Sequence, residues 1–100
     1  MKPDAVTKYK AIKQELEELK ADLMYTNRAM ANPRLDYMTR REYQTDIIHD
    51  NRRIAELNEQ LNRLFDFIYQ NNMQDAIDEI NRLKELEQQK VKKQINVINS

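Results

Sequence analysis

The segment Ile54–Ile68, with the sequence IAELNEQLNRLFDFI, decides the fold. The apolar residues of its main stripe follow one another at alternating steps of three and four residues. They are Ile54, Leu57, Leu61, Leu64 and Ile68. This spacing places their side chains on one side of an α-helix, at the a and d positions of a heptad repeat. The segment therefore predicts an amphipathic helix that buries a narrow apolar seam against other helices.

Similar spacing on both sides of this segment predicts two further helices, with Thr26 filling one slot of the first seam and a five-residue step from Leu86 to Val91 interrupting the third. The two outer seams consist of Ala5, Tyr9, Ile12, Leu16, Leu19, Leu23 and Met30, and of Met73, Ile77, Ile80, Leu83, Leu86, Val91, Ile95 and Ile98. Pro33 ends the first helix, because it disfavours helical geometry at Asn32. The adjacent Asn71 and Asn72 tolerate turn geometry and separate the second helix from the third.

The start of the second helix carries a local signal of its own. Thr39 and Glu42 have the spacing of a capping box, in which each side chain accepts from the other residue's backbone amide. We therefore predict a single domain over residues 1–100 with helices at about 3–31, 40–70 and 73–98 and a loop at 32–39. A continuous rod from Thr39 to Ile98 is the alternative, because neither Gly nor Pro separates the last two helices.

The composition excludes several classes of protein. The chain has no Gly, and tight hairpins and phosphate-binding loops need residues that adopt positive φ. It has no Cys, which excludes disulfides, Cys-ligated zinc and thiol chemistry. Seventeen basic and seventeen acidic residues give a net charge of zero, which argues against a strongly basic nucleic-acid-binding surface. No leader peptide or membrane span is evident, so we expect a cytoplasmic protein.

The predicted architecture is an all-α antiparallel three-helix bundle, or helical hairpin, with coiled-coil-like seams. Long and narrow a/d stripes often find their complement in a second chain, so we expect a homodimer or a higher assembly. A monomeric bundle is the alternative. The residues expected to form the oligomer seam are Ile54, Leu57, Leu61, Leu64, Phe65 and Ile68.

Met and Tyr gather around the predicted loop, and both residue types are common at adaptable binding surfaces. The residues concerned are Met24, Tyr25, Met30, Leu35, Tyr37, Met38 and Tyr43. We interpret them as the contact region for a protein partner. The alternative is that they close the end of the core.

Two polar groups suggest other chemistry. Five arginines in a region that also holds Tyr37 and Tyr43 could contact an anion or a nucleic acid, although neighbouring acidic residues neutralise them. They are Arg34, Arg40, Arg41, Arg52 and Arg53. His49 with Asp46 and Asp50 resembles a metal or acid–base cluster, but a bundle metal site needs this motif on two helices. A solvated His49 is the simpler interpretation.

These observations favour a non-enzymatic helical module that binds a protein partner, as an adaptor, inhibitor or assembly factor. We predict no catalytic site, metal or cofactor. One alternative is a self-assembling scaffold, which could come from a phage-like particle. The other is a weak nucleic-acid-binding bundle that uses the region from Arg34 to Arg53.

Overall fold

The fold is all-helical in this computed structural model, which describes the backbone of residues 4–99 and the side chains of residues 4–90. The helices are α1 (Ala5–Met30), α2 (Tyr37–Gln70) and α3 (Gln74–Asn99). The all-α class is thereby confirmed, and residues 4–99 contain no strand. The predicted start near residue 3 and the side chains of the seam residues Val91, Ile95 and Ile98 lie outside what is described.

An aspartate caps each of the first two helices. The Thr7 amide donates to Asp4 Oδ1, and the Thr39 amide donates to Asp36 Oδ1, both at 2.7 Å. The hydrogen bonds from Thr39 lower the pKa of Asp36. Because Asp36 is the cap, α2 begins at Tyr37 and Thr39 lies inside the helix. The predicted capping box of Thr39 and Glu42 is therefore wrong; the repeated Asp-x-x-Thr spacing was the correct signal.

A complete C-terminal cap separates α2 from α3. Asn72 has a φ of 50°, in the left-handed region that Asn tolerates better than most residues. Its amide donates to the Tyr69 carbonyl at 3.2 Å, and the Met73 amide donates to the Ile68 carbonyl at 2.9 Å. These two bonds form a Schellman motif, in which Met73 packs against the core cluster that contains Ile68. The two helices are therefore separate, and the continuous rod is wrong.

Helices α1 and α2 run in opposite directions and form a hairpin. The late residue Met30 meets Arg40 near the start of α2, whereas the early residue Tyr9 meets Phe65 near its end. Leu16 and Leu57 are buried midway along the pair. We call the end at the connecting loop the hairpin tip.

The main core lies at the opposite end of the hairpin, where α3 joins it. The buried cluster takes residues from all three helices: Ala5, Tyr9, Leu64, Ile68, Ala76 and Ile80. Lys84 Nζ lies 4.3 Å from the centre of the Phe65 ring. Lys13 Nζ forms an ion pair with Glu87 Oε2 at 3.4 Å. Because Lys13 and Glu87 both lie beyond this core along their helices, α3 runs parallel to α1.

The molecule is more extended than a compact bundle. Its radius of gyration is 17.8 Å, whereas a compact domain of this length has about 13 Å. The molecule measures 55 × 39 × 21 Å. The smallest of these dimensions equals the width of about two helices. In the described part of α3, burial ends at Leu83, and the side chains from Lys84 to Lys90 are exposed. The tip therefore projects beyond the three-helix core.

Candidate interaction surface

The most exposed large apolar side chains cluster at the hairpin tip. Tyr25 and Tyr37 are 71% and 72% exposed, and Met24 and Met38 are also more than half exposed. The other predicted contact residues, Met30, Leu35 and Tyr43, are partly buried beneath them. Exposed aromatic and methionine side chains are enriched at protein–protein interfaces, so this end of the molecule is a candidate binding surface. We call Met24, Tyr25, Tyr37 and Met38 the tip surface.

The tip surface surrounds the hairpin instead of forming one flat patch. Neighbouring residues in a helix project about 100° apart, so Met24 and Tyr25 face different sides. Met24 follows Lys10 and Glu17 at heptad spacing, and those two residues line the groove between α1 and α3. Tyr25 follows Ala11 by two heptads, and Ala11 lines a separate groove between α1 and α2, so Met24 and Tyr25 face different grooves of the molecule.

Arg40 fastens the loop beneath the tip surface. Its Nη1 donates to the Met30 carbonyl and its Nη2 to the Asn32 carbonyl, both at 3.1 Å. The last carbonyls of a helix lack partners within the helix, so the guanidinium caps the end of α1. The Arg34 amide also donates to Asn32 Oδ1 at 3.0 Å. The tip is thereby held by hydrogen bonds from both helices and the loop.

The five predicted anion-contact arginines do not converge on one site. Arg40 is engaged at the α1 carbonyls, and Arg53 binds Glu15 through Nε at 2.9 Å and Nη2 at 3.1 Å. Arg53 also donates to Glu56 at 3.1 Å. The exposed residues Arg34, Arg41 and Arg52 lie in the loop and on α2. Local sequence spacing cannot reveal the Glu15–Arg53 pair, because its members are 38 residues apart.

Acidic side chains meet near the tip, where the seam of α2 contains Asp50 between Ile47 and Ile54. Asp50 is half-buried, whereas its neighbour Asn51 is exposed. Burial raises the pKa of Asp50, and the negative charges of Asp22 and Asp46 raise it further. The ionised Asp50 carboxylate is therefore less stable in the folded chain than in water.

Replacing this carboxylate is expected to stabilise the protein at neutral pH. We expect Asp50→Asn to raise the free energy of unfolding by about 0.5 kcal/mol, since an uncharged amide is less costly to bury and is not repelled by Asp22 and Asp46. Because the pKa of Asp50 is raised in the folded state, the ionised carboxylate destabilises the fold fully above that pKa. This destabilisation disappears as pH falls through the pKa and the carboxylate is protonated. The gain should therefore shrink towards pH 4. Chemical denaturation at several pH values measures this gain in the free energy of unfolding. Asp66→Asn is the control, because it removes the same charge from an exposed position. Equal gains in both variants would show that the Asp50 carboxylate is not in an unfavourable environment.

The His49 group does not form a metal site. His49 and Asp46 are exposed, and no set of three His, Cys, Asp or Glu side chains among the described residues has metal-binding geometry. None of the helices in the described part of the chain has the length and hydrophobicity of a membrane span.

Three of the six residues predicted for the oligomer seam lie in the core of the chain itself. Leu57 and Ile68 are each 1% exposed and Leu64 is buried, so a second chain cannot reach them in this conformation. Ile54, Leu61 and Phe65 are partly buried. The heptad pattern correctly located buried positions, but it could not tell which helix covers them, because α1 and a second copy would satisfy it equally.

The sequence matches no family model, no curated protein and no solved structure.

Proposed function

We propose that this protein is a non-enzymatic helical interaction module that binds a protein partner through the tip surface. The observation that carries this proposal is the cluster of four large apolar side chains, each more than half exposed, at one end of the molecule. Burying an aromatic or methionine side chain contributes about 1.5–3 kcal/mol, so a partner enclosing the tip would gain substantial binding energy.

The support beneath the tip favours this use. Arg40 ties both ends of the loop together, so the apolar side chains stand on a fixed backbone. A preorganised surface loses little conformational entropy on binding, and more of the contact energy then appears as affinity. Because these side chains lie around the hairpin, the partner best suited to the tip has a concave apolar site.

We further propose that the chain acts as a homodimer of antiparallel three-helix bundles. The tip and the three-helix core are at opposite ends of the hairpin, which leaves the long sides of α1 and α2 available for self-association. This arrangement would present two tips from one assembly.

Paired variants test the use of the tip. We expect Met24→Ser/Tyr37→Ser to retain the fold but to lose at least about tenfold in recovery of a stoichiometric partner from an extract of the source cells. The control is Ile48→Ser, which removes a similarly exposed apolar side chain from the middle of α2. Photocrosslinking from position 37 should reach the same partner. Capture unchanged in the double variant, or reduced equally in the control, would contradict the proposal.

A further inference from the structure

The same five-residue pattern occurs on both sides of the connecting loop. It reads MYTNR at residues 24–28, near the end of α1, and YMTRR at residues 37–41, at the start of α2. Each run has one Met and one Tyr, followed by Thr, a polar residue and Arg. We call these two segments the tip runs. Together they contain all four residues of the tip surface, two on each helix.

The threonine of each tip run lies on the inner side of its helix. Thr26 is 7% exposed, and Thr39 is partly buried. The arginine of the run comes two residues later, which is a rotation of about 200° around an α-helix. It therefore projects away from the inside of the hairpin, and Arg28 and Arg41 are both exposed.

The arginine of each tip run adjoins the two exposed apolar side chains of the same run. Residues three and four positions apart are neighbours on the surface of a helix. Arg28 lies four residues after Met24 and three residues after Tyr25. Arg41 has the same spacing from the apolar pair of α2. Both helices therefore present a Met and a Tyr with a guanidinium group beside them.

The tip carries a concentrated positive charge in a chain that is neutral overall. Residues 24–41 contain four arginines and one aspartate, a net charge of +3, so the rest of the chain carries −3. No lysine lies between Lys20 and Lys84, so guanidinium groups alone provide the positive charge of the tip. A planar guanidinium can bind both oxygens of a carboxylate at once.

Three of the four arginines are accessible to a partner. Arg40 already donates to two carbonyls at the end of α1. Arg28, Arg34 and Arg41 are exposed, and none of them forms an ion pair with another residue of the described part of the chain. Asp36 is engaged as the cap of α2, where it accepts from a backbone amide. The charged side chains of residues 24–41 that remain without such a contact are therefore all arginines.

We propose that the partner of the tip surface is a protein whose concave apolar site is bordered by Asp or Glu side chains opposite Arg28 and Arg41. This inference rests on the proposed use of the tip and adds to it the charge of the partner. The apolar pairs of the two tip runs supply the buried area, and the guanidinium groups beside them pair with the carboxylates. Charges at the rim of an interface steer association and exclude partners of the wrong sign.

Acidic residues just outside the tip runs favour a protein over an anionic membrane or a nucleic acid. Asp22, Glu42 and Asp46 are exposed within five residues of the tip runs. A bilayer surface or a phosphate backbone presents negative charge throughout, so it would repel these carboxylates while it attracted the arginines. A protein site can place charges of both signs to match the basic end and the acidic residues behind it.

Random linear peptides displayed on phage provide the probe, since a flexible peptide can close around the tip as a concave site does. Selection on the immobilised parent chain should enrich peptides that combine large apolar residues with an excess of Asp and Glu over Lys and Arg. Selection on Arg28→Glu/Arg41→Glu should lose or reverse this excess. In fluorescence anisotropy, synthetic copies of the parent-selected peptides should bind that variant at least about tenfold more weakly, because like charges then meet.

Two further variants separate the charge of the tip from net charge and from folding. Lys20→Glu/Arg52→Glu changes the net charge by the same amount at two exposed positions outside the tip, and it should select acidic peptides as the parent does. Arg28→Gln/Arg41→Gln removes the two tip charges without introducing carboxylates. It should lose the acidic excess and still select large apolar residues. Circular dichroism confirms that each variant is folded.

The outcomes separate this inference from the proposed function on which it rests. Absence of enriched peptides, or an acidic excess that is missing or persists in Arg28→Glu/Arg41→Glu, would overturn the inference. Sedimentation of the chain with vesicles that contain phosphatidylserine, but not with pure phosphatidylcholine vesicles, would assign the arginines to a membrane instead. A cellular partner that stays bound to Met24→Ser/Tyr37→Ser shows that the use of the tip is wrong. A partner that leaves this variant but binds Arg28→Glu/Arg41→Glu like the parent shows that only the charge assigned here is wrong.

Discussion

Leu57→Asp is expected to leave the chain without a cooperative folding transition. Leu57 is 1% exposed in the middle of the hairpin. An unpaired carboxylate there costs several kcal/mol, in addition to the lost burial of the leucine. Small domains have a total stability of about 5–15 kcal/mol, and the extended shape of this chain limits its share of buried surface. Far-ultraviolet circular dichroism and thermal melting measure the effect.

The neighbouring position provides a matched control for this variant. Asn58→Asp introduces the same carboxylate one residue further along, on an exposed position of α2. We expect its melting to remain close to that of the parent, because surface substitutions usually change stability by less than about 0.5 kcal/mol. If Leu57→Asp melted like Asn58→Asp, the packing of α1 against α2 would be wrong.

The helices were predictable because their signals are local. The heptad steps that locate Leu57 and Ile68 act within one helix, and both residues are buried. Pro33 and the two asparagines at 71 and 72 ended helices where predicted, since each limits the backbone at its own position. The error at Thr39 arose because two caps compete within a few residues, and Asp36 provides the one observed.

The surfaces were less predictable because they depend on which helices meet. The exposed tip residues Tyr37 and Met38 follow from composition and from their position beside a loop. The role of Arg40 depends on carbonyls eight and ten residues earlier, and the Glu15–Arg53 pair exists only once α1 folds against α2. The sequence therefore identified Arg40 and Arg53 as charged candidates without revealing that both are engaged within the chain.

Few buried side chains attach α3 to the hairpin. Truncating Ile80 is therefore expected, like Leu57→Asp, to lower the stability of the protein strongly. Ile80 is 1% exposed, and only Ala76 is buried beside it on the described part of α3. We expect Ile80→Ala to lower the free energy of unfolding by about 2–5 kcal/mol, through lost burial and the cavity that remains. The ion pair of Lys13 with Glu87 is exposed to solvent and compensates for little of this loss.

The loss at Ile80 should appear first in α3. The hairpin keeps the buried pair of Leu16 and Leu57, whereas α3 has no comparable second anchor among its described side chains. Amide hydrogen exchange should therefore accelerate in α3 before it does in α1 and α2. Leu86→Ala is the matched control on the same helix, because Leu86 is already 44% exposed and its truncation removes little burial. Similar destabilisation by Ile80→Ala and Leu86→Ala, or faster exchange spread evenly over all three helices, would show that α3 is held by contacts other than those of the core.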